Sequence, residues 1–190
     1  MTSPGESTAQ PAAAQPAAAP QPAVPGPVVP DPDAALARLG LTLPAVPAPL
    51  AAYVPAVAAG TTVWTAGQLP FVDGVLTVTG IVGGDGPDAV DEATATAAAR
   101  TAALNALSAV ASVAGGLRNV ARIAKITVFV ASAPGWTGQP RVADGASRLI
   151  GEVFGDAGRH ARSAVGVSGL PAGSPVEVEV VAVLTAPLPV

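Results

Sequence analysis

The sequence contains no cysteine and a single histidine, His160. The absence of cysteine excludes disulfides, thiolate nucleophiles, and zinc or iron–sulfur sites with cysteine ligands. One imidazole is too few for a histidine-rich metal site. We therefore expect no bound metal.

Aromatic residues are scarce at 3% and charged residues at 12%, whereas half of the 190 residues are hydrophobic. The apolar residues are mostly alanine, valine, leucine and isoleucine, which suit closely packed layers of helix on sheet in one domain. Nine basic and thirteen acidic side chains give a formal net charge of -4. This sign disfavours the binding of phosphate backbones, so nucleic acid is not an expected partner.

Residues 1–30 are mainly proline, alanine, glutamine, serine and glycine. This composition favours polyproline II and cannot bury enough surface to fold alone, so we predict a disordered leader. The leader either solubilises the chain or docks on a protein partner. Because no lysine or arginine precedes Arg38 and proline breaks the apolar stretches, we expect no secretory signal and a cytoplasmic location.

The longest alanine-rich run, near residues 93–114, includes Arg100 and Asn105. These polar residues favour burial against a sheet over a bilayer span, so no membrane association is expected. Residues 31–48 are predicted to form a short helical turn, ended by Gly40, and an extended lead-in. The folded domain is predicted to span residues 49–186.

Hydrophobic periodicity and turn residues divide that domain into alternating elements. Helices are predicted from Asp91 to Gly115 and over residues 140–154. The predicted strands are 53–57, 61–65, 75–82, 123–130, 163–168 and 176–184. The order β-β-β-α-β-α-β-β predicts an α+β fold, a mixed β-sheet with two helices packed on one face. Since the helices cover only that face, oligomerisation is expected.

Three segments, in consistent order, carry a resemblance to a known family. They are YVPAVAAGTTVWTAGQLP at residues 53–70, IAKITVFVAS at 123–132 and HARSAVGVSGLPAGSPVEVEVVAV at 160–183. The third is the most specific, because it is similar to a signature of A-R-S-x-V-x-V-x-x-L-P followed by a V-E-[VI]-E strand. Together the segments resemble the RidA/YjgF superfamily, in a divergent branch with an extended N-terminus.

The resemblance implies a chorismate-mutase-like (RidA-like) fold and a homotrimer with three clefts between subunits. It also implies hydrolysis of enamines and imines, such as 2-aminoacrylate and 2-iminopropionate, to 2-keto acids and ammonia without a cofactor. In the family's pattern, Arg162 matches the carboxylate-binding arginine and Tyr53 the tyrosine of the cleft. Gly67 matches a backbone N–H in a turn, Glu179 the carboxylate near the reacting carbon, and the Ala164 backbone a position that helps hold water.

The implied site is chemically coherent. A 2-imino acid is a small planar carboxylate, and a guanidinium fork such as that of Arg162 binds and orients this group through two parallel hydrogen bonds. Glu179 could then orient water or move a proton, which contributes about 10²- to 10⁴-fold in such reactions. The alternative is a non-catalytic trimer that uses Arg162 to bind a small carboxylate in a regulatory or scaffolding role. Ribonuclease activity ranks third because of the acidic balance and few aromatics.

The sequence departs from the family pattern at several positions. Ala164 stands where a cysteine is familiar, and the asparagine of the cleft has no clean counterpart around Asp144 and Gly145. His160 replaces a residue that is usually proline, and we interpret it as a surface or interface imidazole in preference to a proton shuttle. Glu177 is interpreted as part of a solvated strand face. Two tryptophans are assigned to the core or an interface and three arginines to solvent: Trp64, Trp136, Arg100, Arg118 and Arg141.

Overall fold

The computed structural model describes residues 30–46 and 52–188 of the chain. The predicted leader lies outside the described residues apart from Pro30, and so does the predicted domain boundary at residue 49. Helix α1 (Pro32–Arg38) opens the described part, with the Asp31 carboxylate accepting a hydrogen bond from the Asp33 amide at 3.1 Å. A short helix thus lies within the residues where the sequence predicts a helical turn.

Nine strands follow along the described chain. They are β1 (Ala56–Ala59), β2 (Thr62–Thr65), β3 (Phe71–Val72), β4 (Val75–Leu76), β5 (Ile81–Val82), β6 (Ala89–Val90), β7 (Val120–Ala131), β8 (Ala161–Val167) and β9 (Val176–Leu184). The central sheet has the order β1-β2-β9-β7-β8, in which only β7 and β8 run parallel. The pairs β3-β4 and β5-β6 form two small separate sheets. The predicted mixed sheet and the α+β class are therefore confirmed.

Two predicted strands differ from the structure. The prediction of one strand over 75–82 is wrong, because the chain leaves β4 at Thr77 and enters β5 only after Gly80, whose φ of 130° favours glycine. The predicted strand 53–57 starts instead at Ala56. Pro55 explains the later start, since proline has no N–H to donate to a strand ladder. Tyr53 consequently lies in a bend ahead of the sheet.

Two long helices, α2 (Glu92–Ala114) and α3 (Gln139–Phe154), pack on one face of the central sheet. The Asp91 carboxylate caps α2 by accepting a hydrogen bond from the Thr94 amide at 2.8 Å. Gly115, with a φ of 72°, ends it. Helix α2 has the length and apolarity of a membrane-spanning helix, but 61% of its most apolar window is buried inside the protein. It is thus the core helix of the layer.

Strand β9 shows how the two faces of the sheet differ in burial. Its residues alternate strictly, with Val176, Val178, Val180, Ala182 and Leu184 buried beneath the helices. The residues between them are only half-buried on the opposite face. Both glutamates of the strand lie on that second face, which the two long helices leave uncovered.

The turn after β2 docks onto β9. The amides of Gln68 and Val178 each donate to the other's carbonyl at 2.9 Å, and the Val180 amide donates to Thr65 Oγ1 at 3.0 Å. On the far side, Asn105 Nδ2 of α2 donates to the Leu69 carbonyl at 2.8 Å. These bonds fix Gly67, which lies between them in the chain, against the start of β9.

The close approach of α2 and α3 gives a test of the packing. A β-carbon at Gly145 would collide with the carbonyl group of Thr96 on the facing helix. We expect Gly145→Ala to lower the free energy of unfolding by about 1–3 kcal/mol, as over-packing does. Urea denaturation followed by circular dichroism measures this change.

The matched control is Gly151→Ala in the same helix, where a β-carbon would have no heavy atom within 4 Å. That variant should gain roughly 0.5–1 kcal/mol from the better helix propensity of alanine. Equal effects of the two substitutions would contradict the assigned helix contact.

Candidate functional site

Arg162 lies on β8, at the edge of the central sheet, and its side chain points to the α3 side. Its Nη1 donates to Asp144 Oδ1 at 2.7 Å and to Ser147 Oγ at 3.1 Å. About a quarter of the side chain, 26%, is exposed. Among the described residues, every hydrogen bond of Arg162 goes through Nη1. In the described part of the chain, the Nε and Nη2 edge of the guanidinium therefore has no hydrogen-bond partner.

Asp144 and Ser147 were not identified as site residues from the sequence. They stand three residues apart on α3, so they lie on one face of the helix and reach the same guanidinium. Asp144 also lies 3.9 Å from Arg148 Nη2, but Arg148 is largely exposed, so that contact contributes little. The i,i+3 spacing of an acid and a hydroxyl, followed by a strand that contains arginine, is the sequence signal that could have found them.

His160 extends the cluster at the entrance to β8. Its Nε2 lies 3.1 Å from Ser147 Oγ, and its Nδ1 lies 2.5 Å from the Gly158 carbonyl oxygen. Burial lowers the pKa of His160 below its usual range; the bond to Gly158 opposes this, and the positive charge of Arg162 adds to the lowering. The imidazole is therefore half-buried, predominantly neutral at pH 7 and fixed in position.

A second group of predicted residues lies on the other face of the sheet. The Glu177 carboxylate occupies the space that a β-carbon at Gly67 would need, so any other residue at Gly67 would require the Glu177 side chain to move. Burial raises the pKa of Glu177, and the nearby charge of Glu179 raises it further. The sequence favoured Glu179, whereas the structure places Glu177 against Gly67.

The remaining predicted residues are placed separately. Glu179 is half-buried beside Thr127 in the register of β9 with β7. Tyr53 lies in the bend ahead of β1 and is half exposed. Ala164 follows Arg162 on the same side of β8 and packs against the core.

Most of the predicted site residues of one chain thus fall into two groups, which we call half-sites. Arg162 and Ala164 lie on the helix side of β8, whereas Gly67, Glu177 and Glu179 lie on the helix-free side near β9. Strand β7 separates β8 from β9, which places their backbones about 10 Å apart. The structure of one chain does not bring the five predicted site residues together.

A cavity of about 310 Å³ lies elsewhere, at the end of β7 and the start of β9. Its lining includes Thr79, Asp88, Ala131, Leu170 and Ser174, and none of the predicted site residues. Within residues 30–46 and 52–188, no three histidine, aspartate or glutamate side chains cluster as metal ligands. The arrangement supports chemistry by guanidinium, carboxylate, hydroxyl and imidazole groups.

Comparison with known proteins identifies the family. Residues 33–184 match the family model described as "YjgF/chorismate_mutase-like, putative endoribonuclease". The chain is 44% identical over 147 residues to the protein TCP17 of Trypanosoma cruzi, which covers 77% of this chain and 89% of that relative.

Two solved structures are similar in sequence and in fold. Atu1372 of Agrobacterium tumefaciens is 40% identical with a TM-score of 0.73, covering 81% of this chain and 93% of that one. A protein of Shewanella oneidensis MR-1, described as a "putative endoribonuclease", is 33% identical with a TM-score of 0.75. The match covers 80% of this chain and 99% of that one. The expected chorismate-mutase-like fold is confirmed, and the chain belongs to the RidA/YjgF family.

Proposed function

We propose that this protein is a cofactor-free hydrolytic deaminase that converts small 2-imino acids and their enamine tautomers to 2-keto acids and ammonia. The observation that carries the proposal is the way in which hydrogen bonds hold the Arg162 guanidinium. Asp144 and Ser147 hold its Nη1, which leaves the Nε and Nη2 edge without a hydrogen-bond partner among the described residues. A guanidinium held in this way has lost its freedom before the ligand binds, so carboxylate binding costs less conformational entropy.

The imino acid carboxylate would bind that edge through two parallel N–H···O bonds. Such a clamp fixes the plane of the substrate and hence the direction from which water reaches the imine carbon. Water adds to the carbon, the C–N bond breaks, and ammonia leaves with the proton that a nearby acid supplies. The backbone at Ala164, the next inward-facing residue of β8, is the proposed support for the water.

Glu177 is the better placed of the two glutamates to serve as that acid. It lies against the Gly67 turn, and its raised pKa brings proton uptake and release closer to neutral pH. Glu179 supplies a second negative charge that favours the protonated form of its neighbour. Tyr53 and the Gly67 N–H are proposed to complete substrate binding.

The site is proposed to form between subunits of a homotrimer. Two half-sites on opposite sides of one sheet can face each other only across copies of the chain. The helix-free face carries exposed apolar side chains, with Val57, Trp64 and Val181 side by side in the strand register. Trp64 is 43% exposed in the single chain, and large apolar patches of this kind are typical of interfaces.

The relatives' endoribonuclease description is not the function that we favour here. The formal net charge of -4 opposes the binding of a polyanion. The described arginines outside the site are mostly paired with acids, among them Arg100, Arg118 and Arg141. A small carboxylate, in contrast, needs only the one guanidinium of Arg162.

The first prediction concerns Arg162. An imino acid is generated in situ by an amino-acid oxidase or a dehydratase and trapped with semicarbazide. The wild-type protein should lower the trapped amount, and Arg162→Ala should abolish this effect. Arg162→Lys should recover little activity, because lysine offers a point charge instead of a planar fork.

The matched control is Arg100→Ala, which removes an arginine paired with Glu152 at 2.7 Å away from the site. Activity should be unchanged there, and stability should fall by at most about 1 kcal/mol. The non-catalytic binding function would be established instead by two results together. The amount of trapped imine would be the same with and without wild-type protein, and pyruvate or 2-ketobutyrate would raise the melting temperature.

The second prediction separates the two glutamates. Glu177→Gln should lower imine hydrolysis by about 10²-fold or more, since it removes the proposed acid. Glu179→Gln should have a smaller effect on the rate. The opposite order would support Glu179, the residue favoured by the sequence.

Glu177→Gln should also raise the melting temperature at pH 7. A raised pKa means that the folded state binds the proton more tightly than the unfolded state, so ionised Glu177 destabilises the fold at neutral pH. The advantage of the glutamine variant should shrink as the pH falls through the raised pKa toward 4.5. Differential scanning calorimetry from pH 4 to 8 measures this, and an advantage independent of pH would contradict the assignment.

The third prediction concerns assembly. Sedimentation equilibrium should give three chain masses for the wild-type protein. Trp64→Glu should dissociate the assembly and lower imine hydrolysis together, because a charge on this face disfavours burial. Val75→Glu, at an exposed position of the separate β3-β4 pair, is the control and should leave both unchanged. A fully active monomer would contradict the proposed interface.

A further inference from the structure

Ser147 and His160 form a pair that takes no chemical step in the proposed imine hydrolysis, in which Ser147 only holds Arg162. Ser147 projects from α3 and His160 stands directly before β8, and Ser147 Oγ lies 3.1 Å from His160 Nε2. Both residues are partly exposed in the single chain. A hydroxyl within hydrogen-bonding distance of an imidazole, which is itself oriented by a third group, is the general arrangement of an activated nucleophile.

The partners of the pair determine where its hydrogens lie. The Gly158 carbonyl can only accept, so the 2.5 Å contact requires His160 Nδ1 to carry the hydrogen. The neutral ring therefore presents a bare Nε2. Arg162 Nη1 can only donate, so Ser147 Oγ accepts from it at 3.1 Å and directs its own hydrogen to Nε2.

The groups around the pair act on both of its members. The Gly158 carbonyl, which precedes β8, contacts His160. The Arg162 guanidinium of β8 contacts Ser147 and is itself paired with Asp144 of α3. The Arg162 guanidinium stabilises negative charge on the serine oxygen and on an acyl oxyanion beside it. Burial and the charge of Arg162 lower the pKa of His160, so the imidazole is neutral and can accept a proton, whereas the bond to Gly158 favours its protonated form.

We propose that Ser147 is a nucleophile and His160 its general base in acyl transfer from small carboxylic esters. Ser147 Oγ attacks the acyl carbon while its proton moves to His160 Nε2. The C–O bond to the leaving alcohol then breaks, and the imidazole returns the proton to the alcohol oxygen. Water, deprotonated by the same imidazole, releases the carboxylic acid and restores the serine.

A fluorophosphonate probe tests the nucleophile directly, because serine attack on phosphorus displaces fluoride and leaves a covalent adduct. The full-length protein is labelled, and peptide mass spectrometry locates the adduct. The expected result is labelling at Ser147, lost in Ser147→Ala. Ser112, a helical serine whose hydroxyl donates to the Ala109 carbonyl at 2.8 Å, is the internal control and should stay unlabelled.

His160→Gln tests the base, since glutamine retains a hydrogen-bond acceptor but lacks a basic nitrogen. Labelling should slow by about 10²-fold or more. In the wild-type protein, the labelling rate should be constant around neutral pH and fall on acidification as His160 becomes protonated. Hydrolysis of p-nitrophenyl acetate should follow the same pattern across the variants.

Thermal melts of each variant establish that it is folded. No adduct at Ser147, or a labelling rate unchanged in folded His160→Gln, would overturn the proposal. In that case Ser147 and His160 serve only to position Arg162. The semicarbazide assay is a separate measurement, so failure of the nucleophile and failure of imine hydrolysis are distinguishable.

Discussion

The ion pair between Arg162 and Asp144 connects the edge of the sheet to the helical layer. Strand β8 has a neighbour on one side only, and the guanidinium joins it to α3 through two hydrogen bonds from one nitrogen. The pair is partly exposed, so its contribution to stability is modest. Its main effect is geometric, because it presents the other edge of the guanidinium in a fixed direction. Both proposed reactions depend on that direction.

The two reactions place different demands on the same cluster. The proposed imine hydrolysis would use Arg162 as a clamp and take its proton donor from the helix-free face, where Glu177 meets Gly67. Acyl transfer is complete within the helix side of one chain, since serine, imidazole and guanidinium are already in contact there. As proposed, the first reaction therefore requires assembly of several chains, whereas the second does not. One fold can support more than one chemistry, because function depends on the residues of the site and not on the fold itself.

The sequence predicted the layer architecture well because periodicity and turn residues report directly on backbone structure. The strict alternation of β9 and the aspartate and glycine at the ends of α2 are local signals, and each element appeared near its predicted position. The prediction failed over 75–82, where Gly80 interrupts a run that is otherwise rich in β-branched residues. The predicted strand 53–57 also started too early, because Pro55 cannot donate to a strand ladder and β1 begins only at Ala56.

The site was predictable only where a motif named its residues. Arg162 was predicted from its signature, and the structure places it on an edge strand, where its hydrogen bonds among the described residues use only Nη1. Asp144, Ser147 and the approach of Glu177 to Gly67 were missed, because they depend on how α3 crosses β8 and how a turn docks onto β9. Choosing between Glu177 and Glu179 needs the register of that turn, which no local pattern encodes.

The contacts that form the two half-sites also differ in the length of the chain loop that each contact closes. The bond from Arg162 to Asp144 spans 18 residues, all within one β7–α3–β8 crossover. The bond from Val180 to Thr65, which docks the turn beside Gly67, spans 115 residues. Closing the longer loop costs more chain entropy and requires β2 and β9 to pair first. During synthesis, the arginine cluster can therefore assemble as soon as β8 emerges, whereas the glutamate half must wait for the final strand.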